Sequence, residues 1–364
     1  MQGPSVQALG DWAERSWFWV AVAGFLLFAA IESVRPDGRV RRATLPRWLT
    51  HIALLAGNLV LGTVAVPALL VALFAGRAGP ALDLFGALDG VAGPWVVLAA
   101  GLLALDLQVY WCHRLQHAVH VLWRFHAVHH SDPDMDVSTT WLHHPVANVA
   151  SAVVVGGTMA LLGLPLGVLS VYGLLEAGMG AMQHVATPIP DRLERWTRWL
   201  LLTPGLHAAH HSVNPAYHDT NYGNLLSVFD RVFGTYRAID ATGRAALVYG
   251  LGTRPADQSL ADQSLADQSP ADQSLADQSL ANRSLAGALF LPFRLGRGGV
   301  RHISKYRLEH FPTRLLRLGG SSARQTSRSR AQADPLWSDW ALVKPGTAYP
   351  VHQPGGRAVD IGAP

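Results

Sequence analysis

The chain has 364 residues; 49% are hydrophobic, only 15% are charged, and the formal net charge is +4 at pH 7. So few charges over such a length exclude an ordinary soluble globular protein and point to a membrane. One cysteine, Cys112, excludes an intrachain disulfide and removes any need for an oxidising compartment.

The first apolar run, Trp17 to Val34, is long enough to cross a ~30 Å hydrocarbon core once. Asp11 and Glu14 ahead of it, with Trp17 and Trp19 as interfacial anchors, fit a retained span better than a cleaved signal peptide. Arg35, Arg39, Arg41, Arg42 and Arg47 then form a basic loop, which the positive-inside rule places in the cytoplasm. The run from Trp48 to Phe74 spans with tilt or a kink at Pro67. Ala75 to Gly93 reads as an outer loop. A third span from Pro94 to about Tyr110 delivers His113 and His117 just past the cytoplasmic face. Asp106 lies inside this span, where a carboxylate is costly and must face protein. It shares a helical face with His113 and reads as a group supporting the ligands from one bond further out. A plain helix-packing acceptor is the alternative.

Three histidine clusters follow a helical rhythm: His113 and His117; His126, His129 and His130; His207, His210 and His211. Residues at i, i+3 and i+4 share one face, so each cluster can aim its imidazoles in one direction. A lone pair of this kind is usually a satisfied core feature. Eight rings in three clusters need a shared partner, because buried donors and acceptors are costly to leave unpaired. A metal site fits best; a histidine-lined proton path is the other reading.

Between the clusters, Ser131 to Pro145 is a polar loop ending in His143 and His144. Val146–Leu164 and Pro165–Met182 are two more apolar runs, a hairpin that brings Gln183 and His184 back to the cytoplasmic side. Asp191 to Leu202 is an amphipathic helix with Trp196 and Trp199 as anchors. After the last cluster, Asp219, Asn221, Asn224 and Asp230 can orient imidazoles through their second ring nitrogens. The expected fold is all-α: a polytopic membrane bundle of about five spans, amino end outside, with a cytoplasmic His-rich helical cap around a two-metal site.

Taken together, Asp106…Tyr110…His113…His117, Trp123-Arg-Phe-His126…His129-His130-Ser131, Pro204-Gly-Leu-His207…His210-His211-Ser212, Asn221-Tyr-Gly-Asn224 and Asp230-Arg-Val-Phe-Gly-Thr-Tyr236 resemble the fatty acid hydroxylase superfamily, which includes sterol desaturases and sphingolipid hydroxylases. The resemblance covers about residues 95 to 240. It implies two iron ions as cofactor, O2 as co-substrate, and hydroxylation or desaturation of a lipid. It also implies a ligand role for His184, which matches an isolated histidine of the family. His144-Pro145 matches a family His-Pro pair. Leu142 and Ala147 stand where the family usually has Arg and Glu, so His143 and His144 are read as supporting or substrate-side groups.

The segments divide as 1–94, N-terminal spans and loops; 95–240, the His-cluster domain; 241–290, a disordered linker; and 291–364, a basic disordered tail. The linker repeats Ala-Asp-Gln-Ser-Leu from Ala256, a five-residue period that lines up no face of a helix. In a membrane protein the arginine-rich tail suits anionic headgroups better than nucleic acid.

Imidazole alone suits zinc, copper, iron or nickel, so a zinc-dependent membrane hydrolase and a His-rich metal transporter remain alternatives. With no dinucleotide, haem or iron–sulfur motif in the chain, an oxygenase needs an external electron donor: a reductase, a ferredoxin or a cytochrome b5-like protein. The Ala-, Gly- and Arg-rich composition suggests a bacterial inner membrane.

Overall fold

The computed structural model describes residues 6–34, 45–75, 79–80, 82–214, 216–217, 219–239, 243–244, 247–251 and 284–295. The pentapeptide repeat up to Arg283 and the tail beyond Leu295 lie outside them. The helices are α1 (Val6–Val34), α2 (Leu45–Val60), a π-helical turn (Leu61–Ala65), α3 (Val66–Phe74), α4 (Leu84–Ala92), α5 (Pro94–Ala118) and α6 (His120–His130). A 3-10 turn (Val137–Trp141) is followed by α7 (Pro145–Leu162), α8 (Leu166–His184), α9 (Asp191–Thr197), α10 (Pro204–His210), α11 (Val228–Val232) and α12 (Leu285–Arg294). Among the described residues, β-pairing is limited to the isolated bridges Leu201–Leu226 and Ser212–Tyr249.

Four helical stretches are long and apolar enough to cross a membrane: Val6–Val34, Leu45–Phe74, Pro94–Ala118 and Pro145–Leu162. The protein is an integral membrane protein. α8, expected as the fifth span, is not among the four; Glu176, Gln183 and His184 dilute its apolar character. Its path is nonetheless that of a span, because it runs parallel to α1, with Gly10 against Gly167 and Gly24 opposite Gly178. Just ahead of Pro67, where the sequence suggests tilt or a kink, the helix passes through the π turn. Pro67 has no N–H to donate, and the chain widens just before it, with the Val66 amide reaching back to the Leu61 carbonyl. The outer loop expected from Ala75 to Gly93 contains α4. Phe85 and Leu88 of that helix pack into the core beside α5, a stripe too short to stand out in the sequence.

The membrane core is built from α5, α7 and α8: Val97, Leu98 and Leu105 meet Met159, Val168, Val171 and Tyr172. α1 closes on α8 where glycines allow backbone contact. A Cβ placed on Gly10 would stand 2.6 Å from the Gly167 Cα, against backbone that has no flexible end to yield. Gly10→Val should therefore destabilise the bundle by about 1–3 kcal/mol, the range for overpacking a close contact. Thermal unfolding in detergent measures it, and an unchanged melting temperature would refute the contact.

The linker assigned to 241–290 and the tail assigned from 291 do not describe the residues around their boundary. Leu247 packs with Ala208 and Ala209, and α12 crosses position 290. Ser284 caps α12 by accepting from the Gly287 amide, and Ala288 and Leu291 are fully buried in a cluster with Leu54, Val128 and Leu142.

Candidate metal centre

Four helices carry the imidazoles. α5 presents His113 and His117, α6 presents His126, His129 and His130, α8 ends in His184, and α10 with its last turn presents His207, His210 and His211. These nine fall into two groups able to hold a metal: His113, His117, His126, His130 and His210 in one, His129, His184, His207 and His211 in the other, with the candidate ligand atoms of each group within 4.8 Å of one another. The groups abut, the His130 and His211 rings stacking with centroids 4.4 Å apart.

The division corrects the expectation that each cluster points one way. On α6, His126 and His130 are one turn apart and join the first group, while His129 turns to the second. On α10 the assignment reverses: His207 and His211 join the second group and His210 the first. Each His-x-x-His-His therefore straddles both groups, because i and i+4 align more closely than i and i+3.

The hydrogen bonds fix which nitrogen faces inward. Nδ1 of His113 donates to the Tyr222 carbonyl at 3.0 Å, of His129 to Leu142 at 3.2 Å, of His184 to Gly180 at 2.8 Å and of His210 to Thr220 at 2.7 Å. A carbonyl can only accept, so in each neutral ring Nε2 carries a lone pair and no proton. The inward atoms then oppose each other: Nε2 of His129 and of His184 stand 3.3 Å apart, and Nε2 of His113 and of His210 has no hydrogen-bond partner. Ring protonation does not relieve this. Burial pushes His126, His129, His130, His207, His210 and His211 far below the usual imidazole range, and the neighbouring rings push the same way. Lone pairs converging in a dry pocket suit a shared Lewis acid, and the all-imidazole donor set fits a borderline transition metal. The residues fit two metal ions.

The supporting residues sit one layer out, and not all where expected. Among the described residues, the hydrogen-bond partners of Asp106 are not histidines. It accepts from the Leu225 and Leu226 amides at 2.8 and 3.0 Å and from the Tyr172 hydroxyl at 3.0 Å. It thus ties α5 to the loop whose Tyr222 carbonyl orients His113. Asn224 completes this knot, donating to the Tyr172 hydroxyl and to Glu176. Asn221, in the left-handed region at φ 54°, clamps the same loop through Leu206 and Arg237. His144 is turned away from the centre: Nδ1 caps α7 and Nε2 donates to the Leu289 carbonyl. His143 is the nearer of the two, its ring centroid 4.0 Å from that of His129. The family His-Pro pair singles out His144, but the helix start at Pro145 makes it the cap of α7 and leaves His143 beside the centre.

Asp230 is fully buried and holds the loop by accepting from the Tyr222 and Gly223 amides and the Thr235 hydroxyl. Burial raises its carboxyl to about 6, against the pull of these three donors. In Asp230→Asn one acceptor oxygen becomes an NH2 that faces a backbone donor. The expected loss is about 1–3 kcal/mol, read as a lower melting temperature; a melting curve that overlays the wild type would remove the loop-pinning role.

Sequence reasoning missed Glu32, Arg47 and His51. Glu32 accepts from the Val137 and Ala186 amides, Arg47 pairs with Asp132 and Asp136, and His51 bonds the Ser138 hydroxyl at 2.8 Å. The only signal was their placement among apolar residues at the ends of spans.

Residues 98–235 match the sequence model of the fatty acid hydroxylase family. The chain is 31% identical to human alkylglycerol monooxygenase over 159 residues, 43% of this chain and 33% of that protein. It is 34% identical to ornithine lipid hydroxylase OlsE of Rhizobium tropici over 136 residues, 37% of this chain and 40% of that protein. The aligned part thus spans well under two thirds of either relative. No solved structure matches the chain.

Proposed function

We propose, from the premise that residues 98–235 are a fatty acid hydroxylase domain, that this protein is a membrane-bound, O2-dependent di-iron oxidoreductase that hydroxylates or desaturates a lipid C–H bond. The observation that carries the reading is the pair of abutting imidazole groups in which His113, His129, His184 and His210, their Nδ1 protons held by backbone carbonyls, turn an unprotonated Nε2 inward. Iron bound there would supply O2 activation and the hydrogen-abstracting power that an unactivated C–H bond requires. His113, His117, His126, His130 and His210 would hold one ion, and His129, His184, His207 and His211 the other.

The chain's own part is orientation and exclusion of water. Backbone carbonyls of Leu142, Gly180, Thr220 and Tyr222 fix four rings in the tautomer that points Nε2 inward. Burial disfavours protonation of His129 and His210, so each is ready to bind without first losing a proton. The site sits at the ends of the spans α5 and α8, where a lipid can bring one carbon in from the bilayer while its polar head stays at the interface. Arg35, Arg39, Arg41 and Arg42 in the sequence between α1 and α2 support a cytoplasmic site by the positive-inside rule, in a bacterium at the inner membrane. Electrons come from a separate reductase, ferredoxin or cytochrome b5-like donor. The names of the relatives direct the substrate search to glycerol ether lipids and amino-acid lipids.

The test is metal content and Mössbauer spectra of detergent-purified, iron-enriched protein, then O2 uptake after chemical reduction and mass spectrometry of lipids incubated with it. Two coupled irons, with a lipid gaining one oxygen or losing two hydrogens, are expected. Zinc retained with no O2 uptake would replace this reading with hydrolysis, and freely exchanging metal that crosses vesicles would replace it with transport.

A further inference from the structure

We infer that α12, the helix on the far side of the pentapeptide repeat, is a positioning clamp for the metal centre, acting through α6 and through the backbone carbonyl that orients His129. The inference rests on the two-metal reading above and extends it to a segment that lies outside the matched residues 98–235.

The apolar contact comes first. Ser284, Ala288, Leu291 and Leu295 recur at helical spacing, and Ala288 and Leu291 are 0% and 1% exposed. They pack with Leu54 of α2, Val128 of α6 and Leu142 of the loop before α7. Leu295 joins Leu251 against Trp123 and Ala127 of α6. The chain on either side of the repeat therefore ends on the same two residues of one helix.

Two hydrogen bonds fix the register. Arg124 Nε donates to the Pro292 carbonyl at 2.5 Å, one of the carbonyls that a helix end leaves without an intrahelical partner. His144 Nε2 donates to the Leu289 carbonyl at 3.2 Å. This is the partner of the histidine whose sequence suggested a role nearer the site.

Two routes lead from the clamp to the metal groups. On α6, Trp123, Arg124, Ala127 and Val128 face α12 while His126, His129 and His130 face the centre. The helix that supplies a third of the imidazoles is thus backed by α12. Leu142 gives the second route: its fully buried side chain packs on Ala288 and Leu291, and its carbonyl takes the Nδ1 proton of His129 at 3.2 Å. Loss of α12 frees Leu142, and with it the acceptor that sets the His129 tautomer.

The experiment uses the full chain, iron-loaded, in detergent, and follows release of iron to a chelator. Leu291→Asp places a charge in the clamp contact, and Arg124→Gln removes one hydrogen bond without disturbing the apolar packing. Deletion of Ala256–Leu280 shortens the repeat and keeps α12. Both substitutions should speed release, Leu291→Asp by about tenfold, as expected for removing outer support from a ligand, while the deletion leaves the rate unchanged. Wild-type release rates in both substituted chains overturn the clamp, even if their melting temperatures fall, since that is packing alone. A deletion that releases iron as fast as Leu291→Asp overturns the separation of clamp from repeat. A wild-type chain that retains no metal overturns the two-metal reading itself, a failure distinct from the other two.

Discussion

His184→Ala should leave the protein folded, remove one of two metals and stop turnover. His184 shares its group with His129, His207 and His211. Its Nε2 lies 2.9 Å from Nε2 of His207 and 3.3 Å from that of His129, so three rings lose their common meeting point together. The other group keeps all five histidines. His113→Ala makes the complementary change, removing a ring from the five-histidine group. Metal per chain should fall from about two toward one in His184→Ala, as expected when a four-histidine set loses one of its ligands. Activity should fall at least about 10³-fold, because several kcal/mol of barrier lowering depend on the intact centre. His113→Ala, with four rings remaining, should retain more metal but lose the coupling between ions in the Mössbauer spectrum. Two coupled irons persisting in His184→Ala would show that the four-histidine group does not hold a metal.

How much of this was legible in the sequence depended on what each residue touches. The eight clustered histidines could be named because helical spacing and ligand chemistry are both local properties, and His184 through the family resemblance. The division between two groups was not legible: it depends on whether i+3 or i+4 faces a given neighbour once α5, α6, α8 and α10 are packed. Asp106 was recognisable as an intramembrane acid but not its partners, which are backbone amides 119 and 120 residues away. The His-Pro pair singled out His144 of the two neighbours, yet it is His144 that caps α7 and His143 that lies beside His129. α12 was obscured by its setting. Its apolar positions follow a degenerate repeat unit and precede a run of arginines, and its stripe is two turns long with Pro292 inside it.

The Arg47 cluster carries the second large effect. Read in sequence, Arg47 was one more charge in a cytoplasmic loop. In the structure it is 4% exposed and its guanidinium bridges two carboxylates, Asp132 at 2.6 Å and Asp136. The acids are otherwise well supplied: Thr139 donates to Asp132 at 2.6 Å, Ser138 donates to Asp136 through both its amide and its hydroxyl, and Trp48 donates to Asp136. None of these donors carries a charge, so Arg47 alone balances the two acids from within the cluster. Arg47→Leu preserves much of the volume and strands both carboxylates, a change that costs about 3–5 kcal/mol when one partner of a buried pair is removed. For a chain of this size that is on the order of 10 °C in melting temperature. The damage should reach the metals, since Asp132 follows His130 by two residues and the segment it anchors continues to Leu142, the acceptor for His129. Arg47→Lys, which keeps the charge but not the two-pronged geometry, should fall between wild type and Arg47→Leu. In the triple variant Arg47→Leu, Asp132→Asn, Asp136→Asn the stranded charges are gone, and part of the lost stability should return. That recovery separates charge burial from packing: if the triple variant melts no higher than Arg47→Leu, the cluster acts by shape and not by its charges.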